Sequence, residues 1–381
     1  MATFSWELLN KPRDLSDVFM TMIAQRPMFI SRFAARPAAT NRKHEWLEGT
    51  LRPRTISYSA YTKATGVFAV ASSAGWNVGD RVRVKGDSAI FEITAVAANS
   101  ITVKFVASNG SATDAIGDIA TDASTLYFHN HPIAENSTSG QAMFSQSTTD
   151  YNRTQIFRGD VSISNTALAV ATYGNENDIS LQVKRALLEI SREVNDTALF
   201  GERSADASAS VAGNAGGLYF FGTQLGSLSV AASNDAISLK LLNDAAQNIL
   251  DAGGTPDMIL CGPGQARVIS QLMRNQINIT PGDSARGSYV NKVVMESTGQ
   301  IADVVVEPAL AAMDSDIWVL DSSGLGIVQL GSRQIHSEDA TTPGLDGRKF
   351  SIIGEITFEF KNAKQKICRI SGVQASATSL T

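Results

Sequence analysis

The chain is poor in cysteine, charge and aromatic side chains, and each shortage removes a class of explanation. Cys261 and Cys368 are the only cysteines among 381 residues, too few and too far apart for a disulfide framework or a zinc cage. Charged residues make up 18% and leave a formal charge of −5, so the whole molecule is no basic clamp for nucleic acid. No apolar run approaches the roughly 18 residues that span a bilayer. The opening MATFSWELLNKPRD lacks a basic start followed by an apolar stretch, so no secretory leader is expected. Together these absences suggest a soluble protein of a reducing cytoplasm, without disulfide, metal or membrane partner.

Hydrophobic residues make up 43%, enough for a real core, and the length suggests about two or three domains. Charge is uneven. Residues 1–65 hold ten Lys/Arg against five Asp/Glu, so the remaining residues carry −10. A basic leading segment on an acidic body suits an arm that lies on neighbours or faces a polyanion; the plainer alternative is a solvated tail. In residues 1–50, Val18, Phe19, Met20, Met22 and Ile23 are interrupted by Pro12, Pro27 and Pro37. Proline removes a backbone donor and extends the residue before it, so long helices are not expected. Such an arm is expected to need a partner surface for its Met and Phe side chains.

From Gly66 to about Asn130 short alternating runs take over. Val82 and Val84 share one face, Arg81, Arg83 and Lys85 the other; Phe91 with Ile93, and Ile101 with Val103 and Phe105, alternate likewise. The spacing predicts a compact all-β unit, and the polar segments 51–65 and 131–160 read as the two legs of one excursion. A helix is predicted over 178–200, with a buried stripe of Ile179, Val183, Ala186, Leu187, Ile190, Val194 and Ala198. Asn177 or Asp178 is its expected cap and Gly201 its left-handed stop. A second helix, capped by Ser233, buries Ile237, Leu241, Ala245 and Ile249 and ends at Gly253-Gly254. The Gly/Ala/Ser-rich stretch 202–217 between them has little to bury and reads as a flexible loop. After Pro256 come strand MILC, the turn GPG, a helix QARVISQLMRN, and strands near 303–306, 317–320 and 325–330. Phe350, Ile352, Ile356, Phe358 and Phe360 alternate with mostly polar residues. That pattern suggests an antiparallel hairpin, turned at Asn362-Ala363-Lys364, with one wet face.

No catalytic constellation emerges. GPGQAR lacks the Lys-Ser/Thr ending and glycine spacing of a phosphate loop. Cys261 would need glycine where Ile259 stands to form a nucleophile elbow, and a buried structural thiol is the simpler reading. His129 and His131 could share a strand face but have no further ligand at metal spacing. Asp314, Asp316 and Asp321 lack the pattern of a calcium loop and read as solvated strand-end acids. His44 and His336 have no nucleophile paired with them in sequence. No catalytic residue, cofactor or metal is expected, and the chain is not read as an enzyme.

Three stretches in order carry a resemblance. TNRKHEWLEGTL (40–51), YNRTQIFRGDVSISNTALAVATYG (151–174) and EDATTPGLDGRKFSIIGEITFEFKN (338–362) resemble the tailed-phage major capsid proteins of the Hong Kong 97 fold. They resemble in particular the branch whose extended loop bears a β-insertion, typified by Escherichia podophage capsids. The likeness spans essentially the whole chain. It departs at the 202–217 loop and at HSEDATTPGLDG, where the family has a tighter Lys-Thr-Gly-Asp-like turn. The resemblance implies an α+β fold with an N-terminal arm (1–50), an extended loop (51–65, 131–160) carrying a β-insertion (66–130), a peripheral domain (161–231, 332–381) with spine helix and hairpin, and an axial domain (232–331). It implies hexamers and pentamers of an icosahedral head around double-stranded DNA, assembled in the bacterial cytoplasm. Portal and scaffolding proteins are the implied partners, and a decoration protein an optional one. Arg26, Arg32, Arg36, Arg42, Lys43, Trp46, Arg153 and Gln155 are the candidates for contact between subunits. The runner-up is the shell of a cellular nanocompartment with the same fold. A third reading, an enzyme or sugar-binding module on 66–130, has no visible aromatic row or carboxylate pair behind it.

Overall fold

The structure is a computed structural model; it describes residues 27–49, 51–52, 54–86, 89–108, 124–133, 135, 147–169, 178–205, 212–272 and 292–374. The chain forms two compact units, residues 47–149 and the remainder. Strands Lys43–Glu48 and Thr148–Arg153, where the chain leaves and re-enters the larger unit, pair with each other.

The smaller unit is a closed barrel in the order Thr55–Thr62, Val67–Val70, Ser100–Ser108, Ala89–Ala97, Arg81–Val84, Ser124–Asn130. Alternation drives it: Tyr58, Phe68, Val82, Phe91, Ile93, Ile101 and Leu126 point inward and are fully or almost fully buried, while the intervening residues face out. The barrel begins at Thr55, not Gly66. The polar segment read as a leg is a barrel strand, because Tyr58 and Tyr61 put it on the core. Asp80, fully buried, ties the two ends of the barrel together. It accepts from Arg52 (3.0 Å), the Asn77 N–H (2.9 Å) and His131 Nδ1 (2.8 Å). Three donors satisfy a carboxylate that would otherwise be costly to bury.

The larger unit holds two sheets. One joins Ala34–Ala35, Leu325–Gln329, Gly347–Phe360 and Gln155–Ser164, with His336–Asp339 also on the long strand. The other runs Leu228–Ala231, Ile367–Ser371, Ile317–Leu320, Met258–Cys261, Gln300–Val306, Lys292–Met295. The central strands of the second sheet are apolar at every position because both faces are covered. Met258, Leu260, Trp318 and Leu320 enter a core shared with the long strand and with helix Asp178–Phe200. Ile259, Cys261, Ile317 and Val319 enter a second core under helices Leu239–Asp251 and Pro263–Leu272.

Several expectations are corrected. Strands Gly347–Phe360 and Ile367–Ser371 are not a hairpin. Asn362 takes a left-handed conformation (φ 54°) and the short helix Ala363–Lys366 hands the chain to the other sheet. The expected wet face of the long strand is also absent: Ser351, Glu355, Thr357 and Glu359 are buried. The 232–331 block is not self-contained, since Leu325–Gln329 leaves for the first sheet while Leu228–Ala231 and Ile367–Ser371 join the second. Gln155–Ser164, partly read as a loop leg, pairs along ten residues of the long strand.

The long helix has its predicted bounds, but its stripe is buried only at Ile190, Val194 and Ala198; Leu187 is 40% exposed. Gly201 does not stop it by a left-handed turn. A Cβ there would lie 2.3 Å from the Ala215 carbonyl oxygen and 2.5 Å from that of Thr197, so close backbone approach requires glycine. The expected caps Asn177 and Asp178 lie outside the described residues and side chains. The second helix is capped by Ser238, whose hydroxyl accepts from the Leu241 N–H; Ser233 sits in the preceding turn at φ 53°. In the 202–217 stretch, Ala215 is fully buried and Gly216 and Gly217 pack closely, so its ends do bury surface.

Candidate functional site

The basic segment and the acidic face of the long strand meet. Residues 27–46 form a strap over the larger unit rather than an arm without partners of its own. Glu307, 1% exposed, accepts from the Met28 and Phe29 N–H groups at 2.9 and 2.7 Å, and Asn195 of the long helix accepts from the Ile30 N–H at 3.1 Å. Phe29 and Phe33 stack edge-to-face, and Phe33 packs on Phe358 and Phe360. Ala34–Ala35 then adds a parallel strand to Leu325–Gln329. The partner surface expected for the arm's Met and Phe side chains is, for Phe29 and Phe33, the larger unit of the same chain, while Met28 stays 43% exposed. Val18 to Ile23 lie outside the described residues.

Beyond Ala35 the strap delivers cations to the long strand. Arg36 lies 3.6 Å from Glu359, which also contacts His44 (2.7 Å) and Lys361 (3.1 Å). Arg42 lies 3.7 Å from Glu355, which also meets Arg333 at 3.3 Å and accepts from the Thr154 hydroxyl. Two buried carboxylates thus sit among four permanent cations and one imidazole. Buried charge persists only where opposite charge and hydrogen bonds compensate it; here the strap supplies Arg36, Arg42 and His44, and the rest of the larger unit supplies Arg333, Lys361 and the Thr154 hydroxyl.

The candidate contact residues fall into distinct environments. Arg26 lies outside the described residues. Arg32, half exposed, pairs with Asp303 at 3.2 Å. Lys43 pairs with Glu45 and lies 4.3 Å over the Tyr151 ring. Trp46 is 5% exposed, in the main core. Gln155 accepts from the Ala215 N–H at 3.2 Å. Arg153 is half-buried, and its N–H donates to Asn152.

Sequence reasoning missed Asn152. It is fully buried, donates to the carbonyls of Gly216 (2.9 Å) and Phe358 (2.8 Å), and accepts from the Gly216 N–H (2.8 Å). Its only sequence signal was its place in the YNRTQ stretch. Arg203 beside it pairs with Asp150 at 3.0 Å and covers the Tyr151 and Phe220 rings.

The other reactive groups are structural. Burial pushes the Cys261 and Cys368 thiols up to about 12, leaving too little thiolate for nucleophilic chemistry. Asp316 and Asp321 are buried, not solvated as expected. Asp316 binds Arg369 (2.8 Å) and the Tyr219 hydroxyl (2.9 Å), and burial, with Asp316, raises the Tyr219 phenol far above its ordinary value. Burial works to raise Asp321, but bonds from Ser323 and Thr255 and the Lys366 charge outweigh it and hold the carboxyl below its usual range. His336 is exposed and bonded to the Gln334 carbonyl. Gly262 of the GPG turn lies against the Leu310 backbone. No cluster of three metal-ligating side chains occurs among the described residues.

Large apolar side chains also face solvent. Val294 and Ile301 are direct cross-strand partners at the edge of the second sheet, each 59% exposed. Leu187 and Leu188 protrude from the long helix.

The fold has relatives among solved structures. A structure of Mycobacterium phage Cain covers 97% of this chain and 98% of its own at 11% identity, with a TM-score of 0.53. One described as the capsid of an empty GTA particle covers 97% of both chains at 8% identity, with a TM-score of 0.56. One of Gordonia phage Cozz covers 96% of this chain and 92% of its own at 9% identity, with a TM-score of 0.51. A search of curated proteins finds no match. The family model of the SU10 major capsid protein matches residues 2–374, and the chain belongs to that family.

Proposed function

We propose that this phage major capsid protein closes an icosahedral head by forming hexamers and pentamers around double-stranded DNA. The carrying observation is the Val294–Ile301 pair. Both side chains are 59% exposed and directly opposed on an edge hairpin, although the cores beneath are already filled. Covering the exposed part of each such side chain contributes about 1–2 kcal/mol before association costs, and a ring repeats the gain at every subunit. In this reading the second sheet and its helices are the axial layer, the long helix is the spine, residues 27–46 belong to the N-terminal arm, and the barrel is the β-insertion of the extended loop. Arg32, Lys43 and Arg153 keep exposed surface for contact with a neighbouring copy. Portal and scaffolding proteins act in assembly, a decoration protein is an optional addition, and DNA is confined without sequence readout.

The test is a Val294→Asp/Ile301→Asp double variant viewed by negative-stain microscopy. Loss of closed particles with an unchanged melting temperature of the subunit is expected. Normal particles from the double variant would refute the assignment.

A further inference from the structure

Three adjacent barrel strands assemble an outer face from positions far apart in sequence. Arg83 stands directly across from Tyr127, and Tyr127 across from Thr55. In the next row Ser57 faces Thr125, and the Lys85 N–H donates to the Thr125 carbonyl at 2.9 Å. Arg81 and the exposed His129 lie beyond Arg83 and Tyr127 on the same two strands. Val82, Val84 and Leu126 are in the core, so the cations and Tyr127, 41% exposed, face out.

Arg81, Arg83 and Lys85 make no ion pair among the described residues; Lys85 is exposed, and the two arginines are partly exposed with their Nε atoms buried against the barrel. No outward position on these three strands is acidic, although the chain outside residues 1–65 is strongly acidic. Glu92, across from Arg81 on the next strand, is engaged by Lys104 at 3.1 Å.

Alternate residues of a strand stand about 7 Å apart, so the three cations form a line that matches a polymer with repeated negative charge. One aromatic cannot build the succession of base stacks used to hold single-stranded nucleic acid. A closed barrel offers no free strand edge to an acidic peptide. A sugar ring lying on Tyr127, with acid groups on the arginines and hydroxyls near Thr55, Ser57 and Thr125, engages each of these side chains. We infer that this face binds an anionic polysaccharide.

Full-length protein is tested against immobilised heparin, neutral dextran and short duplex DNA. Salt-sensitive heparin binding is expected, with no binding to dextran and weaker binding to DNA. Arg81→Ala/Arg83→Ala should lower heparin affinity by about tenfold or more. Tyr127→Ala should lower it severalfold while leaving its salt dependence unchanged. All these side chains point outward, so an unchanged barrel melting temperature verifies the fold of each variant. The inference is overturned by absence of heparin binding, by equal binding to dextran, or by an affinity that ignores the double variant. Duplex DNA binding as tight as heparin, with Tyr127→Ala silent, would also overturn it by showing a generic polyanion contact.

Discussion

His44 Nε2 and Glu359 Oε1 meet at 2.7 Å across 315 residues of sequence. Glu359 is almost fully buried, and Arg36 and Lys361 approach the same carboxylate. The contact binds the strap to the long strand that anchors the first sheet.

Glu359→Ala should therefore cost about 1.5–3 kcal/mol, because the His44 hydrogen bond to a charged group is lost and Arg36 and Lys361, which still reach water, lose a shared counter-charge. Thermal and denaturant unfolding measure the loss. An exposed control, Glu189→Ala, removes only the surface pair with Arg192 and should cost under about 1 kcal/mol. Equal effects from the two variants would show that the strap is not held by charge.

The strap also bears on truncation. Removing residues 1–46 deletes Phe29, Phe33 and Trp46 from the main core, each contributing about 1.5–3 kcal/mol, and takes Arg42 from Glu355 and both Arg36 and His44 from Glu359. An insoluble or molten chain is expected. A truncated chain that melts cooperatively at the full-length temperature would return residues 27–46 to the status of a free arm. Charge reversal of Arg36 or Arg42 likewise reports on the fold. Reversal of Arg32 or Lys43 is the cleaner probe of contacts between copies.

Two apolar residues on the long helix should behave oppositely. Ile190 is 5% exposed and its Cδ1 would lie 3.2 Å from a Cβ at Gly159. Ile190→Asp should cost several kcal/mol and yield insoluble protein. Leu187→Asp, on the exposed side, should leave the subunit's melting within about 0.5 kcal/mol of wild type and weaken particle formation. Solubility, circular dichroism and microscopy separate the two.

In the barrel, Asp80→Ala leaves Arg52 and His131 without the carboxylate between them, at a cost of about 3–5 kcal/mol. The barrel and the larger unit are separate compact bodies, so the expected result is an early transition for the barrel beside an unchanged one for the rest. A single transition lowered as a whole would show that the two units unfold together.

The thiols give a pH prediction. Burial raises Cys261 and Cys368 from 9.0 to about 12. The folded state then holds more protons than the unfolded one between these values. Their contribution to stability is complete below pH 9 and is lost as pH rises toward 12. A thiol reagent should find neither cysteine in the native protein at pH 8 and both after denaturation. Rapid native labelling at pH 8 would contradict the burial.

Alternation and helical periodicity made much of the fold legible. The inward residues of the barrel and the bounds of helix Asp178–Phe200 follow from spacing alone, because a period of two or of 3.6 assigns each side chain to a face. Periodicity does not say what covers a face. That is why the polar side of Gly347–Phe360 read as wet although the strap covers it, and why Leu187 read as buried although it protrudes. Strand partnership was less legible still. Adjacent strands often pair, but the left-handed Asn362 and the helix after it break that habit. The packing of Ala215 and Gly217 against Gly201 is not legible in the 202–217 stretch, which reads as a flexible loop because backbone crossings leave no apolar pattern.

By itself the sequence determined the local periods and the family to which three ordered stretches pointed. Only the tertiary structure decided which residues share a place. Glu359 with His44, Asp80 with both Arg52 and His131, and Tyr127 with Arg83 are brought together by sheet register and chain crossings. Those long-range pairings depend on how whole faces bury one another, and no window of neighbouring residues encodes them.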